Sequence, residues 1–194
     1  MAYADNMVFG TTWSGDVFAL NATTGALVWD YNTGGAELPF GGPTVNGGLV
    51  YFGGINGNEY ALNEATGAVV WQHMLDGSVT SVPLVAQGMV FVGTYGGTMW
   101  ALDGQTGATI WSTGGFNMID FSTPSYNGVA LFFGDFNSQY VALDVGTGAV
   151  LWTTSIFGPV GSSTAYANGF VYGAAWDGHL RVMNATTGAI VDDN

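Results

Sequence analysis

The chain has 194 residues, of which 48% are hydrophobic and 14% aromatic, so it can build a packed core and is not a disordered segment. A single basic residue, Arg181, stands against 14 acidic residues and gives a net charge of −13. Binding to phosphates or to anionic lipids depends on lysine and arginine. We therefore expect no nucleic-acid partner, and the lack of a run of ~20 apolar residues predicts no direct membrane insertion.

The chain contains no cysteine, which excludes disulfides and thiolate catalysis. Its first ten residues lack the basic and apolar regions of a signal peptide. The scarcity of lysine and arginine and the turns rich in glycine, asparagine, threonine and serine are typical of proteins outside the cell. We therefore predict an extracellular or cell-surface location.

Five copies of one pattern follow one another along the chain. Thr-Gly recurs at spacings of 42, 40, 41 and 40 residues, with its glycine at Gly25, Gly67, Gly107, Gly148 and Gly188. Four residues before these glycines lie Asn21, Asn63, Asp103, Asp144 and Asn184. Four residues after them lie Trp29, Trp71, Trp111, Trp152 and, in the last copy, Asp192. Gly10, Gly53, Gly93, Gly134 and Gly173 form a second glycine column, which predicts one shared position in the repeat. So many markers in phase indicate a structural repeat.

Each copy predicts four short strands joined by tight turns. In the third copy the strands are expected at 83–86, 89–93, 99–103 and 108–112, with glycine in the turns between them. Helical periodicity is absent. The copies span approximately 1–33, 34–75, 76–116, 117–157 and 158–194. We predict one all-β domain over residues 1–194, a β-propeller of about five four-stranded antiparallel blades.

The segment 101–111, Ala-Leu-Asp-Gly-Gln-Thr-Gly-Ala-Thr-Ile-Trp, resembles the tryptophan-docking motif of the PQQ-like, quinoprotein-type β-propeller repeat family. The resemblance covers all five copies. It implies that the tryptophans Trp29, Trp71, Trp111 and Trp152 pack between neighbouring blades. The family usually has eight blades, and in the last copy the outer strand is expected to have barely begun at Asn194. The sequence allows three arrangements: a closed five-blade ring, an open arc of a larger propeller, or an arc completed by a second chain.

Within this family, the quinoprotein dehydrogenases imply a quinone over the propeller centre, a vicinal cysteine pair and a bound Ca²⁺. The chain has no cysteine and no cluster that matches the calcium ligands, so we expect no cofactor, no metal and no catalytic residue. His73 and His179 occupy different repeat positions and are expected to be ordinary surface residues. Arg181 falls in a column otherwise held by Phe18, Tyr60, Trp100 and Val141. It is expected to be exposed on an end blade.

A large apolar residue precedes the turn between the second and third strands of every copy, at Trp13, Ile55, Tyr95, Phe136 and Trp176. The connections between copies add Phe40, Phe116, Phe121 and Phe157. Both sets are expected on one face of the propeller. Because proteins rarely leave a large apolar patch uncovered, these side chains either fold inward, form an interface with a protein, or stack on carbohydrate.

These patterns favour a non-enzymatic scaffold that binds protein, including further copies of itself, through its aromatic face. The alternatives are a fragment of a quinoprotein-like dehydrogenase whose catalytic parts are missing, and a carbohydrate-binding propeller. Two candidate glycosylation sites, Asn21 and Asn184, begin N-x-T sequences on the opposite face.

Overall fold

The computed structural model describes residues 1–34, 42–119 and 121–194. These residues form twenty β-strands, arranged as five four-stranded antiparallel sheets. Each sheet is built from consecutive strands in sequence order, so every chain segment forms its own blade. In the described ranges no helix is long and apolar enough to cross a membrane. The predicted all-β blade architecture is confirmed.

The first sheet contains β1 (Ala2–Ala4), β2 (Met7–Thr11), β3 (Asp16–Asn21) and β4 (Leu27–Asn32). The second contains β5 (Thr44–Asn46), β6 (Leu49–Gly53), β7 (Asn58–Asn63) and β8 (Val69–Met74). The third contains β9 (Leu84–Ala86), β10 (Met89–Gly93), β11 (Met99–Asp103) and β12 (Thr109–Thr113). The fourth contains β13 (Ser125–Tyr126), β14 (Ala130–Asp135), β15 (Gln139–Asp144) and β16 (Val150–Ser155). The fifth contains β17 (Ala165–Ala167), β18 (Phe170–Ala174), β19 (Leu180–Asn184) and β20 (Ile190–Asp193).

The core lies between the sheets. At the first junction, Phe9 and Trp29 of the first sheet pack against a second-sheet group made of Val50, Phe52, Tyr60 and Leu62. Equivalent clusters join the second sheet to the third, the third to the fourth and the fourth to the fifth. Each sheet buries a face against its neighbour, so the packing of a blade depends on the blades next to it.

The four-residue distance between the asparagine or aspartate and the glycine is the same in every copy, and it has a local physical cause. In the turn between β7 and β8, Asn63 Oδ1 accepts hydrogen bonds from the Ala65 and Thr66 amides at 3.1 and 3.0 Å. The turn closes at Gly67, whose φ is +71°. The other four copies use asparagine or aspartate in the same way. This turn explains the asparagine or aspartate four residues before each glycine.

The second glycine column is wrong as a single structural position. Gly53, Gly93 and Gly134 lie under Val79, Ile119 and Val160 of the following connection, and a Cβ on any of them would come within 2.0–2.3 Å of that side chain. By strand pairing, Gly10 and Gly173 lie one residue earlier in their blades. Gly173 instead accommodates the ring of Tyr140. A one-residue offset moves a strand residue to the opposite face, which sequence spacing alone does not reveal.

The Thr-Gly glycines allow a matched test of blade packing. We expect Gly107→Ala to destabilise the protein by about 1–2 kcal/mol more than Gly25→Ala. Both glycines have φ of +71°, but a Cβ at Gly107 would lie 2.7 Å from the Trp71 ring, whereas Gly25 has nothing within 4 Å. Calorimetric unfolding of both variants measures the difference. Equal losses would show that the ring contact is not tight.

The five sheets do not close into a ring, so the closed five-blade arrangement is wrong and the chain forms an open arc. Val8 and Phe18 of the first sheet are only half-buried, whereas Val50 and Tyr60 at the same positions of the second sheet are buried. Leu180 of the last sheet is likewise exposed. The expectation of a barely begun outer strand is also wrong, since β20 pairs with β19 from Arg181↔Asp193 to Met183↔Ile190.

Candidate functional site

The five hairpin residues lie at one end of the blades, in the turns between the second and third strands. Trp13, Tyr95 and Trp176 are each more than half exposed, and Ile55 is also exposed. Phe136 is half-buried and packs edge-on against Trp176, with ring centroids 5.2 Å apart. These rings belong to neighbouring blades, so part of this face is a continuous aromatic surface. We call the set Trp13, Ile55, Tyr95, Phe136, Trp176 and Phe157 the aromatic face.

Hydrogen bonds tie these hairpins to the connections between blades. The amides of Tyr95 and Trp176 donate to the carbonyls of Ser78 and Pro159 at 2.9 and 3.0 Å, and the Phe136 amide makes the same bond to a connection. Connections and hairpins therefore lie on the same side of the arc. These bonds fix the backbone of the hairpins that carry Tyr95, Phe136 and Trp176.

The predicted connection residues divide into different environments. Phe157 is 86% exposed and extends the aromatic face. Phe116 turns inward and packs edge-on against Phe133 at 5.2 Å, which removes it from an open face. Phe121 is half-buried, with a φ of +58°. Phe40 lies outside the described residues.

Carboxylates flank the aromatic face. Hydrogen bonds from Ser14, Asn32 and Thr12 lower the pKa of Asp16. Although burial works against it, hydrogen bonds from threonine hydroxyls and a tryptophan N–H also hold the pKa of Asp76 below its ordinary value. Both groups are therefore charged at neutral pH. Protein interfaces commonly have an apolar centre and a polar rim, and here carboxylates contribute to the polar groups beside the exposed rings.

Arg181 is 4% exposed, so the expectation of an exposed end-blade arginine is wrong. Its guanidinium donates to both carboxylate oxygens of Asp177, at 2.6 and 3.2 Å, and to Asp193 at 3.3 Å. Asp193 also bonds His179 at 2.8 Å. Two acids of its own blade compensate the charge, which allows the side chain to lie against the neighbouring blade.

The four motif tryptophans each bridge two blades. The indole N–H donates to a carbonyl of the next sheet at 2.8–3.0 Å, from Trp29 to Glu64, Trp71 to Gly104, Trp111 to Val145 and Trp152 to Ala185. All four side chains are buried. Their energetic contribution to blade docking remains a prediction.

The two sequon asparagines lie at the other ends of the third strands. Asn21 and Asn184 use their Oδ1 atoms to close the repeat turn, as Asn63 does. Their Nδ2 atoms, which a glycan would occupy, are not used in that turn. Glycosylation therefore remains compatible with this local structure.

Two buried carboxyl groups were missed by sequence reasoning. Glu59 is completely buried and Glu64 nearly so. Comparison of the repeats could have revealed them, because each is an acid at a position where the other copies have none. The residues equivalent to Glu59 are Val17, Met99, Tyr140 and Leu180, and those equivalent to Glu64 have no ionisable group. His73 is the cross-strand neighbour of Glu59, and its ring lies against Trp100. Among the described residues, no group of three or more acidic, histidine or cysteine side chains is placed to hold a metal ion.

The sheet order, the repeat turn and the tryptophan bridges define a β-propeller built from PQQ-like repeats. A family model described as outer membrane protein assembly factor BamB matches residues 13–124 and 117–191. Because these matches cover most of the chain, the protein belongs to that family, which confirms the resemblance seen in the repeats. A search of curated sequences finds no significant match.

Solved structures share the fold at low sequence identity. BamB from Moraxella catarrhalis matches with a TM-score of 0.86 and 24% identity, over 99% of this chain and 62% of its own. The computationally designed Ika8 protein matches with a TM-score of 0.84 and 19% identity, over 93% and 56%. Quinohemoprotein alcohol dehydrogenase from Comamonas testosteroni matches with a TM-score of 0.85 and 18% identity, over 100% and 42%. The chain thus spans about two fifths to three fifths of these proteins, and the likeness concerns the fold.

Proposed function

We propose that this propeller is a protein-binding scaffold outside the cytoplasm, and that the aromatic face is its binding surface. The observation that carries the proposal is the exposure of three large rings, Trp13, Tyr95 and Trp176, on hairpins that other blade elements hold in place. Tryptophan and tyrosine dominate the energetics of protein interfaces because they bury a large area at a low cost in side-chain entropy.

The charge distribution indicates the chemistry of the partner. The chain carries a net charge of −13, and its one arginine is already paired with Asp177 and Asp193. A partner with basic groups around an apolar centre would complement both the rim and the rings. Electrostatic attraction would mainly increase the rate of association, whereas ring burial would set the lifetime of the complex.

The family supports the general class of this function. Its description names an outer membrane assembly factor, which is consistent with protein partners at the cell envelope. We propose a cell-surface location for this chain, which that description and the amino-acid composition support. A second copy of this chain and a carbohydrate are the two other ligands that the aromatic face could accept. The experiment below distinguishes them from a different protein partner.

We expect the double substitution Trp13→Ser with Trp176→Ser to weaken partner capture from a cell-envelope fraction by at least about tenfold, because it removes two exposed rings. The matched control is Val150→Ser with Leu151→Ser, which removes two exposed apolar residues from an outer strand. Captured proteins are quantified by mass spectrometry, and the mass of the purified chain is measured by light scattering.

Equal capture by the two double variants would refute the aromatic face as the binding surface. A wild-type oligomer that the tryptophan variant converts to a monomer would identify the partner as a second copy of this chain. Ring-dependent binding to immobilised glycans, without protein capture, would replace the protein-binding proposal with carbohydrate recognition.

A further inference from the structure

A pocket of about 180 Å³ lies at the junction between the first and second blades, far along β3 and β7 from the aromatic face. It is lined by Asp5, Met7, Gly48, Asn63, Glu64 and Ala65. Two of these residues carry carboxylates, and one comes from each blade. The pocket therefore brings together acidic groups that are 59 positions apart in the sequence.

Glu64 is an unusual lining residue because it is only 6% exposed and its Oε1 is buried without a hydrogen-bond partner in the described structure. Its backbone is fixed on both sides. The amide donates to the Gly48 carbonyl at 2.9 Å, and the carbonyl accepts from Trp29 Nε1 at 2.8 Å. The side chain thus starts from a rigid point inside the junction. A buried carboxylate oxygen without a donor is unfavourable unless another group compensates it.

The nearby carboxylate makes the electrostatic situation worse. Burial, and then the negative charge of Asp5, raise the pKa of Glu64. Asp5 lies in the tight turn between β1 and β2, with a φ of +43°, so the turn fixes its position. With no cation among the lining residues, the charge of these two acids can be compensated only by a proton or by a cation bound from solution.

The other junctions show that the repeat does not require this pair. Strand pairing and the turn hydrogen bonds give the pair of residues that takes the place of Asp5 and Glu64 at each other junction. These pairs are Gly47 and Gly104 at the second junction, Gln87 and Val145 at the third, and Gly128 and Ala185 at the fourth. None of these pairs contains an acid. The first junction has the same backbone bonds and the same tryptophan bridge as the others, so its two carboxylates are an addition to the fold.

We propose that this pocket binds a divalent cation of the Ca²⁺ type, through the carboxylates of Asp5 and Glu64. Ca²⁺ accepts oxygen ligands in a flexible geometry, and backbone carbonyls of the lining residues together with water would complete the shell. Asn63 Oδ1 already accepts bonds from its own turn and serves only as lining. With two carboxylates, the affinity falls in the weak range of extracellular calcium modules, about 10⁻⁴–10⁻³ M.

Terbium luminescence tests the site directly, because Tb³⁺ replaces Ca²⁺ on oxygen ligands and the Trp29 indole, bonded to the Glu64 carbonyl, can sensitise its emission. We expect the wild-type chain to show tryptophan-excited Tb³⁺ emission that Ca²⁺ displaces. Glu64→Gln and Asp5→Asn should each weaken Tb³⁺ binding by at least about tenfold. Asp30→Asn, which removes an exposed carboxylate from β4, is the charge-matched control and should leave the affinity within about twofold.

Calorimetric unfolding gives the second readout. Millimolar Ca²⁺ should raise the Tm of the wild-type chain and of Asp30→Asn, and should leave the Tm of Glu64→Gln and Asp5→Asn unchanged. Asp5 is exposed, so its variant keeps the test valid even where Glu64→Gln folds poorly. Tb³⁺ affinities that are equal in wild type, Glu64→Gln and Asp5→Asn would overturn the site. So would a wild-type Tm that does not respond to Ca²⁺.

Discussion

Replacing Trp111 by alanine is expected to lower the free energy of unfolding by about 3–5 kcal/mol. The indole is 9% exposed and lies between the third and fourth blades, where it packs 5.9 Å from the Phe91 ring. Its N–H donates to the Val145 carbonyl at 2.9 Å. Alanine would leave a cavity at the junction and a buried carbonyl without its donor, and both effects destabilise the folded state.

Two further variants separate these contributions. Trp111→Phe keeps most of the apolar area, but it removes the donor and leaves a smaller cavity than alanine does, so we expect a smaller loss of about 1–3 kcal/mol. Trp176→Ala removes an indole that is 66% exposed and contacts one ring, so we expect a loss below about 1.5 kcal/mol. Calorimetric unfolding measures all three. Similar losses for Trp111→Ala and Trp176→Ala would contradict the role assigned to the motif tryptophans in blade docking.

Substituting Glu59 by methionine is expected to stabilise the protein by about 2–3 kcal/mol at neutral pH. Glu59 is completely buried between the second and third blades, and neither carboxylate oxygen has a hydrogen-bond partner in the described structure. The equivalent residue of the third blade, Met99, is also completely buried. Methionine therefore suits the position in both size and polarity.

The same residue is expected to make stability depend on pH. Burial raises the pKa of Glu59 well above its ordinary value, so the folded protein keeps a proton that the unfolded chain releases above pH ~4.3. Below that pH the Glu59 carboxyl is protonated in both the folded and the unfolded protein, so its contribution to the free energy of unfolding is at its maximum. It decreases by up to ~1.4 kcal/mol per pH unit until the folded carboxyl ionises.

A pH series of urea unfolding isolates this effect. Glu59→Gln and Glu59→Met should both lack the extra decrease above pH ~4.3 that wild type shows, while Asp30→Asn should retain it. Glutamine should gain less stability than methionine, because it keeps a buried polar group. If Glu59→Met and wild type have parallel stability profiles, the carboxyl is ionised and compensated in the folded protein.

Much of the fold follows from local chemistry that a single sequence displays. The turn that begins at Asn63 and ends at Gly67 needs an acceptor side chain and a residue with positive φ, so its pattern recurs wherever the turn recurs. Five such patterns predicted five blades. The glycine column failed because Gly10 and Gly173 lie on a different face from Gly53, and register depends on strand pairing rather than on spacing.

The candidate site was predictable only in part. The hairpin position of Trp13, Tyr95 and Trp176 followed from the turns, and their exposure follows from lying at the ends of the blades. The inward orientation of Phe116 did not, because it depends on the space beside Phe133 in the fourth blade. Side chains on connections take their environment from neighbours that are distant in the sequence.

The sequence by itself determined the repeat, the strands of each blade, the turn chemistry and the acidic surface, since these depend on residues close along the chain. The tertiary structure decided that the arc stays open, that Arg181 is buried and paired, and that Glu59 and Glu64 lie inside junctions. The physical reason is that burial and charge compensation are set by the face of the adjacent blade, about 40 residues away.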